Sequence, residues 1–189
     1  MASVACMRIV WSVLGVASVT VLLSGCLPPQ PALAPTAEPT STPIFASDEE
    51  ALAAAEAAYG AYSAASDAIA ADGGSGAERI APFVTADWLP KEIEAFKTFG
   101  DSGNKQIGTT VLSKFVLQRL DDAGGSVSAT VYLCADFSTT RFVNTSGVDV
   151  TPPGRVDVVA LAADLELADA KTMHFLISKT EPWSGASSC

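Results

Sequence analysis

The spacing of apolar residues changes once along this chain, near Gly108, and that change does most to limit the fold. Before it, Leu52, Ala55, Tyr59, Tyr62, Ser66 and Ile69 recur three and four positions apart, the signature of one helix face. After it, apolar and polar residues alternate, as in half-buried strands. Ser47-Asp48-Glu49-Glu50 reads as a capping box opening a helix that runs to about Ala71, where Gly73-Gly74-Ser75-Gly76 stops it. A short helical piece over Ala77–Val84 follows, then a longer one from Pro90 to Phe99. The longer piece has Ile93, Phe96 and Phe99 as its buried stripe, Trp88 as a lid and Gly100 as its end.

Beyond Gly108, Val111, Ser113, Phe115 and Leu117 are expected on one strand face. Val127, Ala129, Val131, Leu133 and Ala135 lead the next strand after a turn at 121–125. Arg141–Val143 and Val148–Val150 flank Asn144-Thr145-Ser146-Gly147 as a hairpin, and Pro152-Pro153-Gly154 makes another turn. Val156, Val158, Ala160 and Ala162 alternate through a further strand, which Leu165–Asp169 connects to Lys171–Thr180. Helices first and antiparallel strands afterwards predict an α+β domain with N-terminal helices packed on a bent antiparallel sheet, over residues 47–189.

The segment before that domain is of a different kind. An uncharged, mostly apolar run from Ile9 to Leu23, 15 residues, is preceded by the single charge Arg8. It is shorter than the roughly 20 residues of a membrane span and matches the core of a signal peptide. Leu23-Ser24-Gly25-Cys26 directly after it resembles the bacterial lipobox. That resemblance implies cleavage after Gly25, a diacylglyceryl group on the Cys26 thiol, and residence at the cell membrane on the extracytoplasmic face. Met7-Arg8 would also serve as a signal start, so translation from either Met1 or Met7 fits.

From Leu27 to Ala46 run 20 residues, six of them proline, among Ala, Thr and Ser. This composition favours an extended tether, reaching roughly 60 Å at about 3.1 Å per residue.

The chain carries 21 acidic and 11 basic residues, and cleavage would remove only Arg8 among them, leaving a formal charge of −11. So acidic a surface argues against nucleic acid as a partner and against electrostatic attachment to anionic headgroups. The expected membrane contact is therefore through N-terminal acyl chains, two or three of which hold stably at about 0.8 kcal/mol per buried methylene.

With Cys6 cleaved away and Cys26 lipidated, Cys134 and Cys189 remain. In an oxidising exterior they are expected to pair, closing a long loop worth roughly 4 kcal/mol. There is no Cys-x-x-Cys to suggest redox chemistry.

Gln106-Ile107-Gly108, Cys134-Ala135-Asp136 and Trp183-Ser184-Gly185 with the terminal Cys189 accompany this order of elements. On these residues the domain resembles the NTF2-like (cystatin-like cone) domain of secreted actinobacterial lipoproteins. The resemblance implies helices in the concave face of the sheet and no established activity. Some cone domains are proton-transfer isomerases with a carboxylic acid and a tyrosine in an apolar cavity. Here Asp136 and Tyr132 share one strand face, and Tyr59 and Tyr62 would approach from the first helix, making these four the candidate pocket.

His174, the single histidine, is expected on a strand face with Thr172 and Leu176. One histidine excludes most zinc sites, no acidic cluster has EF-hand spacing, and no Gly-x-Ser-x-Gly surrounds a serine. Neither a metal nor a cofactor is expected. Asn144-Thr145-Ser146 matches a glycosylation sequon and reads as turn chemistry. The sequence thus favours a lipid-anchored, non-catalytic envelope domain that binds or scaffolds. The alternatives are an isomerase-type enzyme and a carrier of lipid or another apolar ligand.

Overall fold

A computed structural model describes residues 42–123, 125–185 and 189. The signal segment, Cys26 and the tether up to residue 41 lie outside the described residues, as do Gly124 of one turn and residues 186–188.

Helix α1 spans Asp48–Ala71, a 3-10 turn covers Ala77–Phe83, and α2 spans Leu89–Asp101. Six strands follow: β1 (Lys105–Ile107), β2 (Val111–Ala123), β3 (Ser126–Asp136), β4 (Arg141–Val143), β5 (Val158–Asp169) and β6 (His174–Pro182). Four of them form one antiparallel sheet in the order β2-β3-β5-β6, and β1 pairs with β4 in a separate two-stranded ribbon. The helices cover one face of the larger sheet, the α+β arrangement expected from the sequence. Among the described residues, no helix is long and apolar enough to cross a membrane.

The start of α1 forms as its sequence dictates, with one change of partner. The Ser47 hydroxyl accepts from the Glu50 amide at 3.3 Å, but the Glu50 carboxylate reaches back to the Ala46 amide at 2.7 Å, one residue before the cap. Just upstream, the Ile44 and Phe45 amides both donate to Asp122 Oδ2, at 2.7 and 2.9 Å. Phe45 is buried, and its ring stacks on Phe175 at 5.5 Å. The entry to α1 is thereby fastened to the β2–β3 and β5–β6 turns.

α1 buries Ala51, Ala55, Ala58, Tyr59 and Ile69 against Val127, Ala129, Val131 and Leu133 of β3 and their neighbours on β5 and β6. Small alanines let the helix axis approach the sheet closely, and the large residues at either end fill the remaining space. At its C-terminus Gly74 has φ +80°, and a Cβ there would run into the Phe96 carbonyl. The α1–α2 connection therefore admits only glycine at this position.

Four details depart from the sequence expectation. No residue of α2 is fully buried: Ile93 is 36% exposed, while Phe96 packs on the core and Phe99 on Phe142 at 5.7 Å. α2 also continues past Gly100 to Asp101. It lies over the edge of the domain, so one side of its stripe faces solvent.

The face assignment of β2 holds only in part. Phe115 and Leu117 point to the core, but so does Leu112, whereas Val111 is 49% exposed. Register shifts fall between Ser113 and Val116 and between Leu117 and Arg119, and Lys114 has φ +54°. Each bulge inserts a residue and reverses the parity of the strand.

Leu165–Asp169 does not connect two strands but completes β5. Finally, Arg141–Val143 pairs along its length with β1. Val148–Val150 returns only a bridge between Val143 and Asp149, with amide bonds from Asn144 to the Val148 carbonyl and from Val150 to the Phe142 carbonyl. The Asn144 side chain supports this turn, accepting from the Ser146 and Val148 amides.

Beside it, the Arg155 guanidinium donates to the Phe137 and Thr140 carbonyls and pairs with Asp157, clamping the 137–157 loop.

Candidate functional site

Between α1, the middle of α2 and the sheet lies a cleft of about 240 Å³. Its walls are aromatic and aliphatic, with Tyr59 and Tyr62 on α1, Phe96 on α2 and Phe137 after β3. Its polar groups are Ser63, Ser66 and Asp67 of α1, with Gln106 and Thr110 at the entrance to the sheet.

Two carboxylates fix its surroundings, Asp67 in its wall and Glu92 just outside, bonded to the lining Tyr62. Asp67 accepts from Gln106 Nε2 at 2.7 Å, from the Thr110 amide at 2.8 Å and from the Thr110 hydroxyl at 2.9 Å. This ties the last turns of α1 to β1 and to the segment leading into β2. Glu92 Oε1 accepts from the Tyr62 hydroxyl at 3.0 Å and from Trp88 Nε1 at 2.7 Å. Trp88 is thus the N-terminal cap residue of α2 and a polar link to α1, and it packs on the core as a lid would.

The two tyrosines form one aromatic unit, with ring centroids 5.5 Å apart, and Tyr59 also meets Phe115 edge-on at 6.1 Å. Burial pushes the Tyr59 phenol up to about 12; burial and then the Glu92 charge push Tyr62 further in the same direction. Both therefore stay protonated hydroxyls at neutral pH and serve as donors, not as bases.

The four residues of the candidate pocket do not come together. Tyr59 and Tyr62 line the cleft, but Tyr132 and Asp136 lie on the opposite face of the sheet. The reason is strand alternation: on β3, Val127, Ala129, Val131, Leu133 and Ala135 face the helices, so Tyr132, Cys134 and Asp136 face outward. Tyr132 stacks on Trp183 with ring centroids 4.2 Å apart. Beside that pair, Cys134 and Cys189 form the expected disulfide, with Cα atoms 5.7 Å apart. Cys189 thus lies on the outer face, and Cys134 is buried.

Asp136 ends β3 at the rim and accepts from the Ser138 amide at 2.7 Å, a local turn bond that holds its carboxyl below the ordinary aspartate range. Asp149 and Asp169 are lowered in the same way, by Thr151 and by the Lys171 amide. A carboxyl whose folded pKa is depressed contributes stability above its unfolded value of 3.8. That stability is lost as pH falls through the lower folded value. The urea midpoint should accordingly be level from neutral pH to about pH 5 and fall progressively below about pH 4, with a shallower fall in Asp136→Asn. Unfolding curves across this range check it.

His174 is the first residue of β6 and exposed, next to Asp169 across the β5–β6 turn and away from the cleft. Among the described residues, no three acidic, histidine or cysteine side chains gather as a metal site would require.

Asp67, Glu92 and Thr110 escaped the sequence reading, and Gln106 stood out there only as part of a short motif. Asp67 follows Ser66 on the flank of the helical stripe, a position that signals solvent until a strand is laid against it.

The fold and the cleft define a class: a small α+β domain with helices on one face of an antiparallel sheet and a half-open aromatic cleft between the layers. No family model matches the chain, and no curated protein is similar to it. Among solved structures, it is similar to the intermembrane space region of the chloroplast protein ARC6. The TM-score is 0.50 and the identity 9%, over 71% of this chain and 97% of that one. At that identity the likeness concerns the fold.

Proposed function

We propose that the chain is a lipid-anchored protein of the cell envelope, held on the extracytoplasmic face through acyl chains on Cys26. Its NTF2-like domain binds a partner through the aromatic cleft and does no chemistry of its own. The anchor rests on the apolar run followed by Leu23-Ser24-Gly25-Cys26 and the proline-rich tether. A Cys134–Cys189 disulfide is in keeping with an oxidising compartment.

The observation that carries the binding reading is the state of the carboxylates in and beside the cleft. Asp67 and Glu92 hold elements together through neutral donors, and Asp136, which a cone-type isomerase would need beside a tyrosine, lies on the other side of the sheet. A general acid or base needs both a free proton site and reach to substrate. A cleft with aromatic walls and a few fixed polar groups suits recognition.

The test is phase partitioning with intact mass. The membrane-extracted protein should enter the detergent phase with an acylated N-terminus at Cys26, and Cys26→Ser should move it to the aqueous phase. A native N-terminus at any other residue, without lipid, would refute the anchor.

A further inference from the structure

The geometry points to a small organic cation, an alkyl- or quaternary ammonium compound, as the ligand class of the cleft between α1, α2 and the sheet. This deepens the binding reading above and rests on it.

The first ground is charge. Asp67 receives three hydrogen bonds and Glu92 two, and every donor is neutral: an amide side chain, a backbone amide, two hydroxyls and an indole. Among the described residues neither carboxylate forms an ion pair, although Arg79, Lys97, Arg119, Arg141, Arg155 and Lys179 all do so elsewhere. The nearby Lys91 lies over the Trp88 ring instead, 4.5 Å from its centroid. Asp67 therefore places a negative charge in the wall of a partly enclosed space, with hydrogen bonds to steady it and no ion pair among the described residues, while Glu92 stands just outside, bonded to the lining Tyr62. In a recess of lowered dielectric their field is focused, and the acidic chain as a whole adds to it.

The second ground is the wall. Tyr62, Phe96 and Phe137 line the same space as Asp67. Aromatic faces carry negative quadrupole potential and attract alkylated ammonium groups, whose methyls pack against the rings while the charge is felt through them. An anionic ligand would meet the Asp67 carboxylate, and a purely apolar one would leave Ser63, Gln106 and Asp67 facing hydrocarbon.

The third ground is size. A cleft of about 240 Å³ falls a little below the roughly 300–1,000 Å³ of pockets for drug-sized ligands, the scale of a small amine.

Choline and its uncharged isostere 3,3-dimethylbutan-1-ol are the probes, titrated calorimetrically into the full chain in non-ionic detergent. Choline should bind saturably and roughly tenfold or more tighter than the isostere, with affinity falling as salt rises. Glu92→Gln keeps an acceptor for Tyr62 and Trp88 while removing a charge, and should shrink the choline preference. Asp67→Asn should shrink it further. If Asp67→Asn does not fold, the ratio in the unaltered protein and in Glu92→Gln still decides. Equal binding of the two probes would overturn the cation assignment and leave the cleft as a binding site. Saturable binding of neither would overturn both.

Discussion

Phe175→Ala should lower the unfolding free energy by about 3–5 kcal/mol, the range for removing a phenylalanine from a close-packed interior. The ring is 1% exposed on β6, opposite Leu167, and stacks within 5° of parallel on Phe45. Lost transfer free energy accounts for part of the effect, and the space left behind for the rest. This site has little means of collapsing, since Phe45 is itself held by the Asp122 carboxylate through its own amide and that of Ile44. Both the approach to α1 and the β5–β6 end of the sheet should loosen together. Urea unfolding reads the effect as a lower midpoint at unchanged slope. Phe175→Leu, which keeps most of the volume, should lose much less. A loss under about 1 kcal/mol in the alanine variant would mean that Phe45 and Phe175 do not share a core.

The second large effect is expected at the disulfide. Thiol titration of the unfolded domain, residues 47–189, should find no free thiol until reductant is added. Cys189→Ser should then cost roughly 2–5 kcal/mol and lower the melting midpoint by several degrees. The bond joins positions 55 residues apart, so its absence restores a large loop freedom to the unfolded chain. In the folded state it holds the C-terminus over β3, beside the Tyr132–Trp183 stack. Releasing it should expose the buried Cys134 and change the fluorescence of Trp183, which gives a second readout independent of stability. Two reactive thiols in the freshly purified domain would refute the pairing.

Much of this architecture is legible in the sequence, because its signals are local. Ser47 caps α1, the glycines at 73–76 end it, and the alternation of Val127 through Ala135 specifies the buried face of β3. The Cys134–Cys189 pair also follows from residue counting, once the first two cysteines are assigned to the signal segment and the lipid. None of these needs knowledge of a distant neighbour.

What only the tertiary structure decided depends on contacts between residues far apart in sequence. Alternation placed Tyr132, Cys134 and Asp136 on one face of β3. Which face meets α1 was settled by the larger hydrophobic set on its other side, and that removed Asp136 from the cleft. On β2 the bulge at Lys114 reversed the inward and outward sides, a backbone event that no period-two pattern reveals.

The cleft itself is the clearest case. Asp67 on α1 meets Thr110 43 positions later, and Tyr62 meets Glu92 30 positions later. Each of these side chains in isolation is an ordinary polar residue on a helix or loop. The packing of α1 between α2 and the sheet brings Asp67 and the aromatic rings around one space, with Glu92 bonded to Tyr62 just outside it. Local periodicity determines which elements form and which of their faces are apolar. The angle and register at which the elements meet are set by close packing, and that packing alone made a site of residues the chain keeps far apart.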